Sequence, residues 1–119
     1  MLDKGETTWY NNCMKFEIHS YRKPNGREPF LEWNDGLAPA FRARIAAGLK
    51  KLEEGNFANC KTIAGGEGIS EIRFNFGPGF RVYFGIAGRV IVLLLCGGDK
   101  STQKRDIAKA REYWKEFQS

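Results

Sequence analysis

Apolar and polar residues alternate from Met14 to Tyr21, with Met14, Phe16 and Ile18 set against Lys15, Glu17 and His19, which is the period of a half-buried strand. Lys23-Pro24-Asn25-Gly26 is turn chemistry, and Pro29 then stands where a first helical turn accepts it, so a short helix is expected through Phe30 and Trp33. A longer helix is marked by Pro39 near its start and by Phe41, Ile45, Leu49 and Leu52 on one stripe. Gly55 suits a left-handed stop. Its opposite face carries Arg42, Arg44, Lys50 and Lys51, the pattern of a solvated basic surface. Cys60 to Ala64 reads as a short strand, and Gly65-Gly66-Glu67-Gly68 as a loop.

Three more strands follow closely. In Ile69 to Phe76 the apolar Ile72, Phe74 and Phe76 share a face, leaving Glu71, Arg73 and Asn75 on the other. Gly77-Pro78-Gly79 turns the chain into Phe80 to Ile86, where Phe80, Val82, Phe84 and Ile86 oppose Arg81 and Tyr83. A three-residue turn would pair Phe76 with Phe80, setting Arg73 across from Tyr83 and Asn75 across from Arg81. Glu71, Arg73, Arg81 and Tyr83 would then crowd one exposed face. The next strand, Arg89 to Cys96, is apolar at consecutive positions, as in a central strand covered on both sides. Gly97 to Ser101 reads as a loop, with Asp99 or Ser101 capping a final helix that ends near Phe117. Ile107, Ala110, Trp114 and Phe117 form its stripe, suited to the sheet or to a partner. Residues 1–13 show no period and read as an N-terminal extension, where disorder is commonest.

The order of elements implies one α+β domain of 119 residues. The longest apolar run, Val90 to Cys96, is seven residues, against the roughly 20 that span a bilayer, and no basic segment followed by an apolar stretch opens the chain. Neither a membrane span nor a signal peptide is expected. Three widely spaced cysteines, Cys13, Cys60 and Cys96, support neither a disulfide framework nor a zinc site, and fit a reducing cytoplasm. A single histidine, His19, excludes mechanisms that need two imidazoles. A net charge of +5 favours polyanionic partners.

Two arginines on adjacent strands, a carboxylate and a phenol suit a phosphodiester. Guanidinium forks match phosphate oxygens, a carboxylate can take a proton, and a phenol can stack on a base. That chemistry would be RNA cleavage. The same alternation also describes an ordinary solvated sheet in which Glu71 pairs with Arg73 or Arg81 and nothing reacts. Gly97 and Gly98 would let backbone approach a ligand near Lys100 and Gln103, or serve as a plain connector.

Glu71-Ile72-Arg73, then Gly77-Pro78-Gly79-Phe80-Arg81-Val82-Tyr83-Phe84, then Leu93 to Gln103 with its Gly97-Gly98-Asp99-Lys100-Ser101 core, then Asp106 to Ala110, resemble the RelE/ParE superfamily of toxins. More narrowly, they are similar to the phage-derived, HigB-like addiction module killer proteins. The resemblance spans Met14 to Phe117, so 14–119 is the expected toxin domain. It implies a small curved antiparallel or mixed sheet of four to five strands, two N-terminal helices on one face and a C-terminal helix. It also implies a cognate antitoxin, often a helix-turn-helix protein, that blocks the basic face, and no cofactor or metal.

Within that superfamily, RelE-like and HigB-like members cut mRNA in the ribosomal A site, whereas ParE-like members poison DNA gyrase. The resemblance therefore implies a ribosome-dependent mRNA endonuclease, with a gyrase poison or an inactive antitoxin-binding module as alternatives. Carried over by position, Arg81, Arg73 and Lys100 would stabilise charge on the scissile phosphate, and Glu71 would act as base. Tyr83, Lys61 and Gln103 would contact substrate. The C-terminal Tyr or His of the RNases has no counterpart here, because Gln103 or Lys104 falls at that place.

Overall fold

The computed structural model of the chain describes residues 15–65 and 67–119. The N-terminal extension and Met14 lie outside them. Strand β1 (Glu17–Ser20) leads to α1 (Pro29–Asp35) and α2 (Pro39–Glu53), followed by β2 (Cys60–Thr62), β3 (Ile69–Arg73), β4 (Phe80–Ala87) and β5 (Ile91–Asp99). A single 3-10 turn, Lys100–Thr102, opens α3 (Gln103–Gln118). The strands form one mixed sheet in the order β1-β5-β4-β3-β2, with β1 parallel to β5 and every other pair antiparallel. This is the expected α+β architecture.

Consecutive apolar residues in β5 divide between two cores. Val92 and Leu94 join Phe30, Ile45, Leu52, Ile72 and Val82 beneath α1 and α2. Leu93 and Leu95 face the other way, to Ala110 and Trp114 of α3. Both faces of the sheet are therefore covered, which a run of this kind requires. The stripe read along the C-terminal helix docks on the sheet, although its last member, Phe117, remains exposed. Trp114 also donates from Nε1 to the Glu67 carbonyl at 3.2 Å, tying the β2–β3 loop to α3.

The hairpin between β3 and β4 departs from the expected register. Arg73 lies opposite Arg81, Ile72 opposite Val82 and Glu71 opposite Tyr83, a shift of two residues. Phe74 N donates to Phe80 O at 3.0 Å, so residues 75–79 form the turn. Phe76 leaves the strand because its ring stacks on Phe41 with centroids 5.8 Å apart, and Gly77 (φ 57°) and Gly79 (φ 78°) supply the left-handed turns that follow. A shift by two keeps every side chain on its face.

One further expectation is corrected. Gly97, Gly98 and Asp99 belong to β5, paired with Val82, Arg81 and Phe80, and are not a loop. The cap before α3 is Asp99, whose Oδ1 accepts from Ser101 N at 2.8 Å, while Thr102 Oγ1 receives Asp99 N at 3.2 Å. The Ser101 hydroxyl on Asp99 holds that carboxyl below its usual range. No helix among the described residues is long and apolar enough to cross a membrane.

Candidate functional site

Two rungs of the sheet gather the expected site residues on the α3 side. Lys61, Glu71, Tyr83 and Cys96 form one rung, and Arg73, Arg81 and Gly98 the next. Cross-strand partners on one face bring their β-carbons to about 4.5–5.5 Å, so the two arginines are immediate neighbours. Like charges at that distance repel unless a counter-charge intervenes, and Glu71 supplies one.

Glu71 is 1% exposed. Its Oε2 accepts from Arg73 Nε at 2.6 Å, and its Oε1 accepts from Gln103 Nε2 at 3.1 Å. Arg81 Nε stands 3.8 Å from the same Oε1, an ion pair without a hydrogen bond. The carboxylate thus faces the Nε of both guanidinium groups and leaves their terminal Nη groups for other partners. Arg81 is buried, and its Nη1 reaches the Gly79 carbonyl at 3.3 Å. Arg73 is 41% exposed along its side chain.

Lys100 arrives from the start of the 3-10 turn. A β-carbon at Gly79 would lie 3.5 Å from Lys100 Cβ and 4.0 Å from Arg81 Nη1, so the lysine stem and the Arg81 guanidinium flank that glycine. Arg73, opposite Arg81, and Lys100, which shares Gly79 with it, are the more exposed members of this cationic cluster, and Arg81 is its buried member. Lys61, on the edge strand β2, is exposed beside it.

Expectation and structure part company over exposure. The face holding Glu71, Arg73, Arg81 and Tyr83 is not open, because α3 lies on it. Tyr83 is fully buried, so its ring cannot stack on a base. Its hydroxyl meets no hydrogen-bonding partner among the described residues, and burial, with the charges of Glu71 and Asp106, pushes the phenol well above its usual range. Glu71 is engaged at both oxygens and does not reach a substrate proton. Gln103 points inward to Glu71 rather than outward. His19 is exposed on β1 with Nε2 3.0 Å from Glu17 Oε1, apart from this constellation.

A residue that the sequence pattern did not single out holds α3 in place. Asp106 is buried, accepts a hydrogen bond from Thr102 Oγ1, and lies against Gly98, where a β-carbon would overlap its carboxylate. Gly97 is likewise filled by the Trp33 ring. The glycine pair thus admits protein side chains, not a ligand. The signal was present in the spacing of Gly98, Thr102 and Asp106, which only the strand-to-helix geometry makes legible. Cys96 donates from Sγ to the Asp106 carbonyl, and burial pushes its thiol up to about 12. Among the described residues, no three His, Cys, Asp or Glu side chains are placed to share a metal ion.

Comparison with known proteins bears on this arrangement. The family model described as "Phage derived protein Gp49-like" matches residues 32–115, which take in part of α1, all of α2 through β5, most of α3, and Glu71, Arg73, Arg81 and Lys100. The chain belongs to that family. An uncharacterized protein of Haemophilus influenzae (strain ATCC 51907 / DSM 11121 / KW20 / Rd) is 47% identical to this Gp49-like protein over 70 residues, covering 59% of the chain and 69% of the relative. Among solved structures, an E. coli toxin RelE carrying two arginine-to-alanine substitutions, in the free state, matches with a TM-score of 0.61. The match has 15% identity and covers 82% of this chain and 95% of that one. The Gp49-like chain thus has the RelE fold, as the resemblance implied.

Proposed function

We propose that this Gp49-like protein is the toxin of a type II toxin–antitoxin pair and a metal-free endonuclease that cuts mRNA on the ribosome. The observation that carries the reading is the pair of opposed arginines, Arg73 and Arg81, whose Nε atoms face one buried carboxylate. A phosphodiester at this cluster would meet the Arg73 Nη groups and the Lys100 ammonium beside Arg81. The 2′-oxygen attacks the adjacent phosphorus, the bond to the 5′-oxygen breaks, and a 2′,3′-cyclic phosphate forms. The three cations stabilise the charge that accumulates on the phosphoryl oxygens.

In this scheme Glu71 is a positioning residue. It aligns both guanidinium groups through their Nε atoms, while the 2′-hydroxyl proton leaves to solvent and solvent protonates the departing 5′-oxygen. An antitoxin of complementary, acidic character that covers the cluster would silence the site. The +5 charge and the likeness to RelE support this reading over an inert sheet surface.

The test is to map 5′ ends of cellular mRNA after brief induction of the chain. Cuts in phase with the reading frame are expected, and Arg73→Ala should remove them. DNA-damage signalling without new mRNA ends would replace this reading with a gyrase poison. Unchanged growth would replace it with an inactive antitoxin-binding module.

A further inference from the structure

On the other side of the sheet, a groove of about 260 Å3 runs between α2 and the segment from Arg73 to Phe76. Arg44, Ala47, Gly48 and Lys51 line it from α2, and their spacing of i, i+3, i+4 and i+7 makes one stripe of that helix. Small residues occupy the middle of the stripe and cations its ends. Gly48 is required there, because a β-carbon would overlap the Phe74 ring. The basic face read from the sequence is therefore not uniform. Arg42 donates from Nη1 to the Leu37 carbonyl at 2.8 Å, and Lys50 pairs with Glu53 at 3.6 Å. Arg44 and Lys51 are the two that remain with the groove.

The opposite wall supplies different chemistry. The Arg44 guanidinium lies 4.0 Å from the centre of the Phe76 ring, which presents a flat cationic platform. Asn59 and Asn75 add exposed amides, each able to donate and to accept. Among the described residues no carboxylate lines the groove, although the chain holds 14 acidic residues. Arg73 lines it too, while its Nε donates to Glu71 on the other face.

We infer that this groove seats a nucleotide of single-stranded RNA flanking the phosphodiester held at Arg73. The base stacks on the platform that Arg44 and Phe76 make, the amides meet its edge, and Lys51 and Arg44 take phosphate charge. Ile72 and Phe74 also line the groove but are buried, so a docked protein helix would find little apolar area beyond Ala47 and Phe76. An acidic peptide would satisfy the cations but would leave the amides and the stacking platform unused. That the ligand is RNA rests on the ribonuclease reading above.

The test measures binding by the full chain of a fluorescent, 2′-O-methylated RNA oligomer of about ten nucleotides, which cannot be cleaved through its 2′ position. Binding is thus read whether or not the chain cuts RNA. The double variant Arg44→Gln/Lys51→Gln should bind about 10-fold more weakly. Its log–log salt slope should fall by about 1.4, since each single-strand phosphate left without its cation lowers the slope by about 0.7. Lys50→Gln removes the same charge one position away and should change affinity less than about twofold. Equal affinity of the double variant and the Lys50→Gln control would overturn the inference while leaving the cleavage proposal intact. Displacement of the RNA by an oligoglutamate peptide, with the same dependence on Arg44 and Lys51, would overturn it in favour of an acidic protein segment. Loss of mRNA cutting, with groove-dependent RNA binding retained, would remove the ribonuclease reading alone.

Discussion

Arg73 and Arg81 stand directly across from one another on β3 and β4, and the Nε of each turns to the same carboxylate, Glu71. An opposed pair of like charges is a liability in a sheet, and a buried carboxylate without partners is another. Each resolves the other. The arrangement also explains how a residue 1% exposed serves a surface reaction without touching substrate.

Glu71→Gln keeps the shape and removes the charge, leaving the arginines opposed with no neutralising group. Breaking this pair should cost about 2–3 kcal/mol, the low end for buried ion pairs because Arg73 is half-exposed. Urea unfolding measures it. A change under about 0.5 kcal/mol would show that the carboxylate is not the counter-charge of the pair.

Arg73→Ala and Arg81→Ala should separate by their effect on folding. Each removes one cation from the phosphoryl group, worth about 10²–10³ in cleavage rate. Arg73→Ala removes the 2.6 Å hydrogen bond to buried Glu71 from a half-exposed side chain and should lose part of that ~2–3 kcal/mol, whereas Arg81→Ala withdraws a buried cation from the same carboxylate and should unfold more easily still. Rates on a reporter transcript, set beside urea midpoints, provide the check. Full cleavage by a folded Arg73→Ala protein would exclude this cationic cluster as the reacting site.

Gly98→Ala should be among the most damaging small substitutions in the chain. The added methyl would overlap the Asp106 carboxylate, and overpacking of this kind costs about 1–3 kcal/mol. Moving Asp106 would also disturb the start of α3, which carries Gln103. Thermal unfolding of Gly98→Ala beside Gly36→Ala, whose φ of −81° suits any residue and whose β-carbon would make only ordinary contacts from 3.5 Å, separates overlap from loss of a glycine.

Stability should fall at alkaline pH. Tyr21 is buried, donates to Glu116 Oε1 at 2.8 Å, and is pushed from 10.0 up to about 12 by burial first and then by that carboxylate. Between about pH 10 and 12 the unfolded chain releases a proton that the folded one keeps. The unfolded state therefore binds fewer protons there, and stability declines as pH rises. Cys96 acts in the same direction, from 9.0 toward about 12, and Tyr83 adds to it. Urea midpoints should drop through this window, and Tyr21→Phe should shallow the decline. A flat profile would mean that these groups are not desolvated.

Alternation along β3 and β4 told correctly which side chains share a face, because a register error of two residues leaves that parity untouched. It could not tell that Phe76 leaves the strand for Phe41, since a phenylalanine at an inward position fits both outcomes. Nor could polar residues on one face announce that α3 lies over them. Glu71, Arg81 and Asp106 are buried because they satisfy one another or nearby side chains, and such pairing is invisible until the strands are in register. Lys100 was legible as a basic residue near the site, but its place beside Gly79 depended on β5 extending to Asp99.

With helices over both sides of the sheet, the cations of the proposed cleavage site emerge along its margin, at strand ends and turns. A margin offers a narrow strip rather than a broad platform, so a long polymer can rest on it at few points and is held weakly by the chain alone. Under the proposed function, such an enzyme depends on some larger body to hold its substrate taut and present one linkage at a time, and its choice of where to cut passes largely to whatever does the presenting.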